Sequence, residues 1–154
     1  MIHLVVPQLP PPGLSANARR RLHPLKARAL IADAKAEWYE LLVGALWEQH
    51  GSVTVPGIPW DRVRITYTIT WPTRRMLDYD NLLGGGLKVV ADLLQAPQGI
   101  ADQSFRLGLI RDDSPTCVIS SPGLEYHYQK GVSETDIKIV QVIDEDETAI
   151  RDIS

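Results

Sequence analysis

Cysteine is almost missing from this chain. Cys117 is the only one among 154 residues, so no disulfide can close within the chain and no thiolate cluster can hold zinc. Cys117 itself reads as a small apolar residue inside a strand. Also missing is any run of the roughly 18 apolar residues that a membrane-spanning helix needs. The opening residues, Met1-Ile2-His3-Leu4-Val5-Val6-Pro7, have too short an apolar run and no positive start for a signal peptide. These absences set the expectation of a cytoplasmic protein with no membrane partner. An excess of basic residues is lacking as well: net charge −3 and a pI near 5.8 are not the footprint of a polyanion binder.

The total conceals an uneven distribution. Residues 1–28 carry Arg19, Arg20, Arg21, Lys26 and Arg28 and no acid, a local charge of +5. Residues 133–154 hold seven acids, among them the run Asp144-Glu145-Asp146-Glu147, against Lys138 and Arg151, a local charge of −5. With 44% hydrophobic and 23% charged residues the composition is that of an ordinary globular protein of one domain. We expect that domain over residues 1–143 and an acidic, loosely ordered tail over residues 144–154.

A first short strand is expected over residues 2–6. The proline-rich run 7–13 cannot be helical, because proline lacks the N–H and restricts its predecessor. Residues 25–50 read as an amphipathic helix: Leu30, Ala34, Trp38, Leu41, Leu42, Ala45 and Leu46 recur at spacings of three and four, and Pro24 suits a first turn. Trp38 and Trp47 are expected in the core or at a contact between subunits, Trp71 in the core. Val63, Ile65, Tyr67, Ile69 and Trp71 alternate strictly with polar residues, which predicts a half-buried strand. A second helical pattern runs through Leu83, Leu87, Val90, Ala91 and Leu94, followed by a long irregular excursion over 95–111. Further strands are expected at 116–120, 125–128 and 136–143. The fold class is therefore α+β, a single domain with a mixed sheet and two main helices in the order β-α-β-α-β-β, with an optional extra strand.

The informative residues lie where a hydrophobic strand gives way to a helix. Asp78 and Asp80 bracket Tyr79, and a second acidic pair, Asp112-Asp113, opens a later strand. Carboxylates two apart in extended backbone point to one side and can share a ligand. Hard divalent ions take such oxygen donors and keep positions for water and phosphate. Lys88 lies eight residues after Asp80, about two helical turns on, and supplies positive charge on much the same face. Arg74 and Arg75 are placed to meet flanking phosphates. The same residues also have a plain structural reading, in which Asp78 and Asp80 cap the helix and Lys88 pairs with Asp92 at i, i+4. His23, before a proline, and His127, between Tyr126 and Tyr128, read as structural residues.

Taken in order, Asp78-x-Asp80-Asn81, Lys88, Asp92-Leu93-Leu94, Asp112-Asp113-Ser114-Pro115 and a terminal β-hairpin resemble the RusA-type Holliday junction resolvases of phages and prophages. Pro10-Pro11-Pro12, Ser15, Asn17 and Arg19 to Arg21 look like that family's N-terminal segment, so the resemblance spans residues 3–143. It implies a structure-selective endodeoxyribonuclease of DNA recombination and repair that uses Mg²⁺, or Mn²⁺, in a bacterial or phage-infected cytosol. Asp78, Asp80 and Asp113 would hold the metal and, with Lys88, carry catalysis. Asn81 and Asp112 would support the ligand carboxylates by hydrogen bonds. Asn17, Arg19, Arg20, Arg21, Arg74 and Arg75 would bind the DNA. The resemblance further implies a homodimer acting on branched, four-way DNA. Gly84-Gly85-Gly86 interrupts the second helix, and the long 95–111 excursion leaves the choice between Asp112 and Asp113 open. A non-cleaving DNA-structure-binding protein of this fold and a protein-interaction module are the alternative readings.

Overall fold

A computed structural model describes residues 1–14, 16–99 and 105–143 of the chain. The expected tail over 144–154, and Ser15, lie outside the described residues. The elements run β1 (Ile2–Val6), a 3₁₀ turn (Pro12–Leu14), α1 (Ala16–Arg20), α2 (Pro24–His50), β2 (Val63–Trp71), α3 (Tyr79–Leu83), α4 (Gly86–Leu94), β3 (Gly123–Tyr128) and β4 (Glu134–Gln141). The fold is α+β, with a mixed four-stranded sheet in the order β1-β4-β2-β3. No described helix is long and apolar enough to cross a membrane.

The alternation in β2 sets the sheet's buried face. Val63, Ile65, Tyr67, Ile69 and Trp71 are all buried, and β4 pairs antiparallel along β2 with Ile139 opposite Ile65 and Ile137 opposite Tyr67. On the other side of β4, Ile2 and Leu4 of β1 face the same two isoleucines. Apolar rows therefore cross three strands on one face, the arrangement in which cross-strand side chains stabilise a sheet. Helices α2 and α4 cover that face.

Helix α2 begins where His23 Nδ1 accepts from the Leu25 N–H (3.2 Å) and Pro24 fills the first turn. It ends at Gly51, in the left-handed conformation with φ 65°, whose N–H closes on Trp47 O. Trp38, Leu42, Ala45 and Leu46 form its buried stripe, whereas Trp47 is 56% exposed and stands outside the core.

Three expectations are corrected. First, the second helix is two: Gly84 and Gly85 separate α3 from α4, so Lys88 does not inherit the helical phase of Asp80. Gly86 lies so close to the proline-rich connector that a Cβ there would stand 2.9 Å from Pro10 Cβ and from Pro11 O. Second, residues 116–120 form a turn with one isolated bridge, Val63 to Val118, instead of a strand. Cys117 is buried in that turn with its thiol 3.6 Å from Trp60 O. Third, β3 and β4 do not make a hairpin. They flank β2 on opposite sides, β3 parallel to it and β4 antiparallel, because the α3–α4 crossover delivers β3 to β2's free edge.

The two glycine environments predict opposite outcomes in denaturant titration. Gly86→Ala should lower stability by about 1–3 kcal/mol, since the connector's backbone must move. Gly44→Ala, in open space within α2, should raise it by up to about 1 kcal/mol.

Candidate functional site

Strand β2 ends at Trp71, and the chain then passes Arg74 and Arg75 before reaching Asp78. The Arg74 guanidinium lies over the Tyr128 ring at 5.0 Å, and Arg75 is exposed. Asp78 caps α3: its backbone is extended and Oδ1 accepts from the Asn81 N–H at 2.8 Å. The capping alternative thus holds for this residue. Asp80 already belongs to the first turn of α3, so the two carboxylates are not related by the pleat of an extended segment as the spacing predicts. The Asp80 carboxylate is exposed and meets no hydrogen-bond or ion-pair partner among the described residues.

Two tyrosines strap this segment down. Tyr126 Oη of β3 donates to Leu77 O (2.8 Å), just before Asp78, and Tyr79 Oη donates to Pro122 O (3.1 Å), just before β3. Burial, and then the negative charge of Asp78, raise the Tyr126 phenol above its ordinary value. From the opposite side the Asn17 N–H donates to Asn81 Oδ1 at 3.2 Å, tying α1 to α3. The Asn81 side chain, expected to support a ligand carboxylate, accepts from the N-terminal segment through Oδ1. Arg20 and Arg21 are exposed; the Arg19 side chain lies outside what the structure describes.

Lys88 of α4 stands between two carboxylates. Its Nζ is 2.7 Å from Asp113 Oδ2 and 3.1 Å from Asp92 Oδ1, and Lys35 of α2 reaches Asp92 Oδ2 at 3.4 Å. Both the i, i+4 pair and the pairing with Asp113 are present. Partial burial lowers the Lys88 pKa, but the hydrogen bonds and charges of Asp113 and Asp92 outweigh it, and the net shift is upward. The ammonium stays charged through neutral pH.

Asp113 reaches Lys88 because the excursion after α4 is anchored at its return. The N–H groups of Leu107, Leu109 and Ile110 donate to Leu93 O and Leu94 O, and Arg111 N–H donates to Trp60 O. Residues 100–104 of the excursion lie outside the described residues. The return also separates the acidic pair. Asp113 faces Lys88, while Asp112 Oδ1 accepts from the Ser114 N–H (2.9 Å) and hydroxyl (2.5 Å), with Arg111 Nε near Oδ2. Those Ser114 bonds, with a smaller contribution from Arg111, hold the Asp112 carboxyl below the usual aspartate range.

Carboxylate oxygens are the donors a hard divalent ion prefers. Yet among the described residues no three His, Cys, Asp or Glu side chains are grouped to hold a metal. The structure brings Asp113 to Lys88 and keeps Asp78 and Asp80 together on α3, without gathering all three aspartates. No match to this chain turns up among protein-family models, curated proteins or solved structures. Sequence reasoning missed Lys35, whose spacing marks it only as a polar residue of a long helix, and Ser114, whose role depends on a turn with no periodic signal.

The depressed Asp112 carboxyl gives a pH test. Its contribution to stability is present above the ordinary aspartate value of 3.8 and is lost as pH falls through the lowered folded-state value. Ser114→Ala should therefore lower the melting temperature at neutral pH, and the gap to wild type should close in acid below that range. A gap that persists unchanged at low pH would refute this assignment.

Proposed function

We propose that this protein is a Mg²⁺-dependent endodeoxyribonuclease for branched DNA, which resolves four-way junctions by paired phosphodiester hydrolysis to 5′-phosphate and 3′-hydroxyl ends. The observation that carries the reading is the meeting of Lys88 with Asp113, 25 residues away in sequence, at 2.7 Å. Two chemistry-bearing residues from separate segments share one place against α4, the helix that follows α3 in the chain. The bond from the Asn17 N–H to Asn81 Oδ1, which ties α1 to α3, is in keeping with this reading.

Asp78, Asp80 and Asp113 are not grouped in this structure and Asp113 is paired with Lys88, yet the three are the ligands this reading requires, with Mn²⁺ as the other candidate ion. Bound there, it would supply a hydroxide nucleophile near neutral pH and stabilise the leaving 3′ oxygen. Lys88, charged throughout the working range, would orient the scissile phosphate and offset charge that grows in the transition state. Arg20, Arg21, Arg74 and Arg75 would hold flanking phosphates without reading sequence. A four-way junction cut symmetrically calls for a two-fold symmetric enzyme, so the active species is proposed to be a homodimer, working in the cytosol in recombination and repair.

The test is cleavage of a labelled synthetic four-way junction against linear duplex, with Mg²⁺ or with EDTA. Symmetric nicks should need the metal, and Asp80→Asn should slow them by about 100-fold or more. Junction binding without any cleavage by wild type would overturn the enzyme reading in favour of a structure-binding protein. Replacing Arg20 and Arg21 by Gln should weaken binding of all DNA forms alike. It should also reduce the slope of log affinity against log salt by about 1 for each phosphate that the variant leaves unneutralised.

A further inference from the structure

Metal-assisted cleavage as proposed needs Asp113 for the ion and Lys88 for the phosphate, yet the two side chains are engaged with each other, Nζ to Oδ2 at 2.7 Å. An ammonium and a divalent cation draw on the same negative charge, so they compete for a carboxylate that both can reach.

The two carboxylates on Lys88 are not equivalent. Asp92 lies one turn along the same helix, and the i, i+4 spacing by itself keeps it beside the ammonium, at 3.1 Å. Its carboxylate also meets Lys35 Nζ through Oδ2 at 3.4 Å and Gln95 Nε2 through Oδ1 at 3.4 Å, and its side chain is 24% exposed. The Arg106 guanidinium donates to the Asp92 carbonyl and holds the backbone there. Asp113, by contrast, lies outside any helix or strand, and its side chain is 45% exposed. Apart from Lys88, its carboxylate meets no hydrogen-bond or ion-pair partner among the described residues. When a cation competes for one of the two, Asp113 is the one that can turn.

We propose that Lys88 is a latch on Asp113 that a divalent cation opens, and that Asp92, steadied by Lys35, is the positioning residue that keeps the Lys88 ammonium in place once Asp113 has turned away. Loading of the site and arming of the lysine are then one event. The displacement that gives Asp113 to the cation leaves the ammonium with one carboxylate in place of two, and with one side open. No covalent bond changes: an ion pair separates and a carboxylate–cation contact forms. The proposal rests on the metal reading above.

The experiment titrates Mn²⁺ into the full chain without DNA and follows the free ion by electron paramagnetic resonance, so that binding is read apart from cleavage. Lys88→Met should tighten Mn²⁺ binding by about two- to fivefold, the range that a part-exposed ion pair supplies. Lys35→Met, which removes the same charge from an ammonium that pairs with Asp92, should change it less. Asp92→Asn should weaken binding, because the Lys88 ammonium then rests on Asp113 alone, and that weakening should vanish in the Lys88→Met background. In carbon NMR of the wild type, Mg²⁺ should shift the Asp113 carboxylate signal and leave that of Asp92 in place. Equal affinity of wild type and Lys88→Met, an equal gain from Lys35→Met, or a shift at Asp92 in place of Asp113 would overturn the latch and leave the metal reading standing. An Asp92→Asn effect of the same size in both backgrounds would overturn the positioning role. Absence of Mn²⁺ binding by wild type and Lys88→Met alike, even at millimolar ion, would instead sink the metal reading on which the latch rests.

Discussion

Strand β2 has hydrogen-bonding partners along both edges, β4 antiparallel and β3 parallel, and nearly everything else in the molecule is placed by it. With a side-chain period of two, a slip of one residue would turn Ile65, Tyr67 and Ile69 to the polar face and empty the core. The register is therefore strongly specified, and it is consequential at both ends. At the N-terminal end β2 receives the segment that carries Asp113, through Val63 N–H to Cys117 O and Ile119 N–H to Val63 O. At the C-terminal end it releases the chain toward Asp78. The acidic segments come near α4 because both are hung from one rigid strand.

How much of this was legible follows from which interactions are periodic. The alternation of β2 and the three-and-four spacing of α2 are repeated signals, and the α+β class and both elements could be read from them. Pairing between strands is not periodic: nothing local to residues 123–141 distinguishes a hairpin from two strands that embrace a third. The Gly84 to Gly86 break could be seen, but its reason, the approach of the Pro10-Pro11 backbone to Gly86, is a contact across more than seventy residues. At the site, the pairing of Lys88 with Asp92 was written in the i, i+4 spacing. Which of Asp112 and Asp113 faces Lys88 was not, because that is set by Ser114, which holds Asp112, and by the backbone bonds that bring the excursion back.

Charge in the candidate site is arranged as a chain of alternating sign, Lys35 to Asp92 to Lys88 to Asp113, that links α2, α4 and the returning segment. The groups are part-exposed, so each pair contributes modestly to stability. Their more definite effect is geometric: Asp92 fixes the Lys88 ammonium from one side, and Asp113 is aligned to its other side. The net charge of −3 hides a separation along the chain, because residues 1–28 carry +5 and residues 133–154 carry −5.

The place of β4 has a consequence for the order in which the chain is assembled. β1 and β2 never pair with each other; β4 lies between them and contacts both along its length. A ribosome therefore delivers three of the four described strands before the one that joins them exists, and until residues 134–141 emerge β1 lacks the one strand neighbour it has among the described residues. Helices and the β2–α4–β3 unit can form early from contacts near in sequence, whereas closure of the sheet waits for a pairing that spans almost the whole domain, the kind of contact that folds slowest. During that interval the apolar sides of β1 and β2 are open to wrong partners, which makes the last step of synthesis also the step that protects the first.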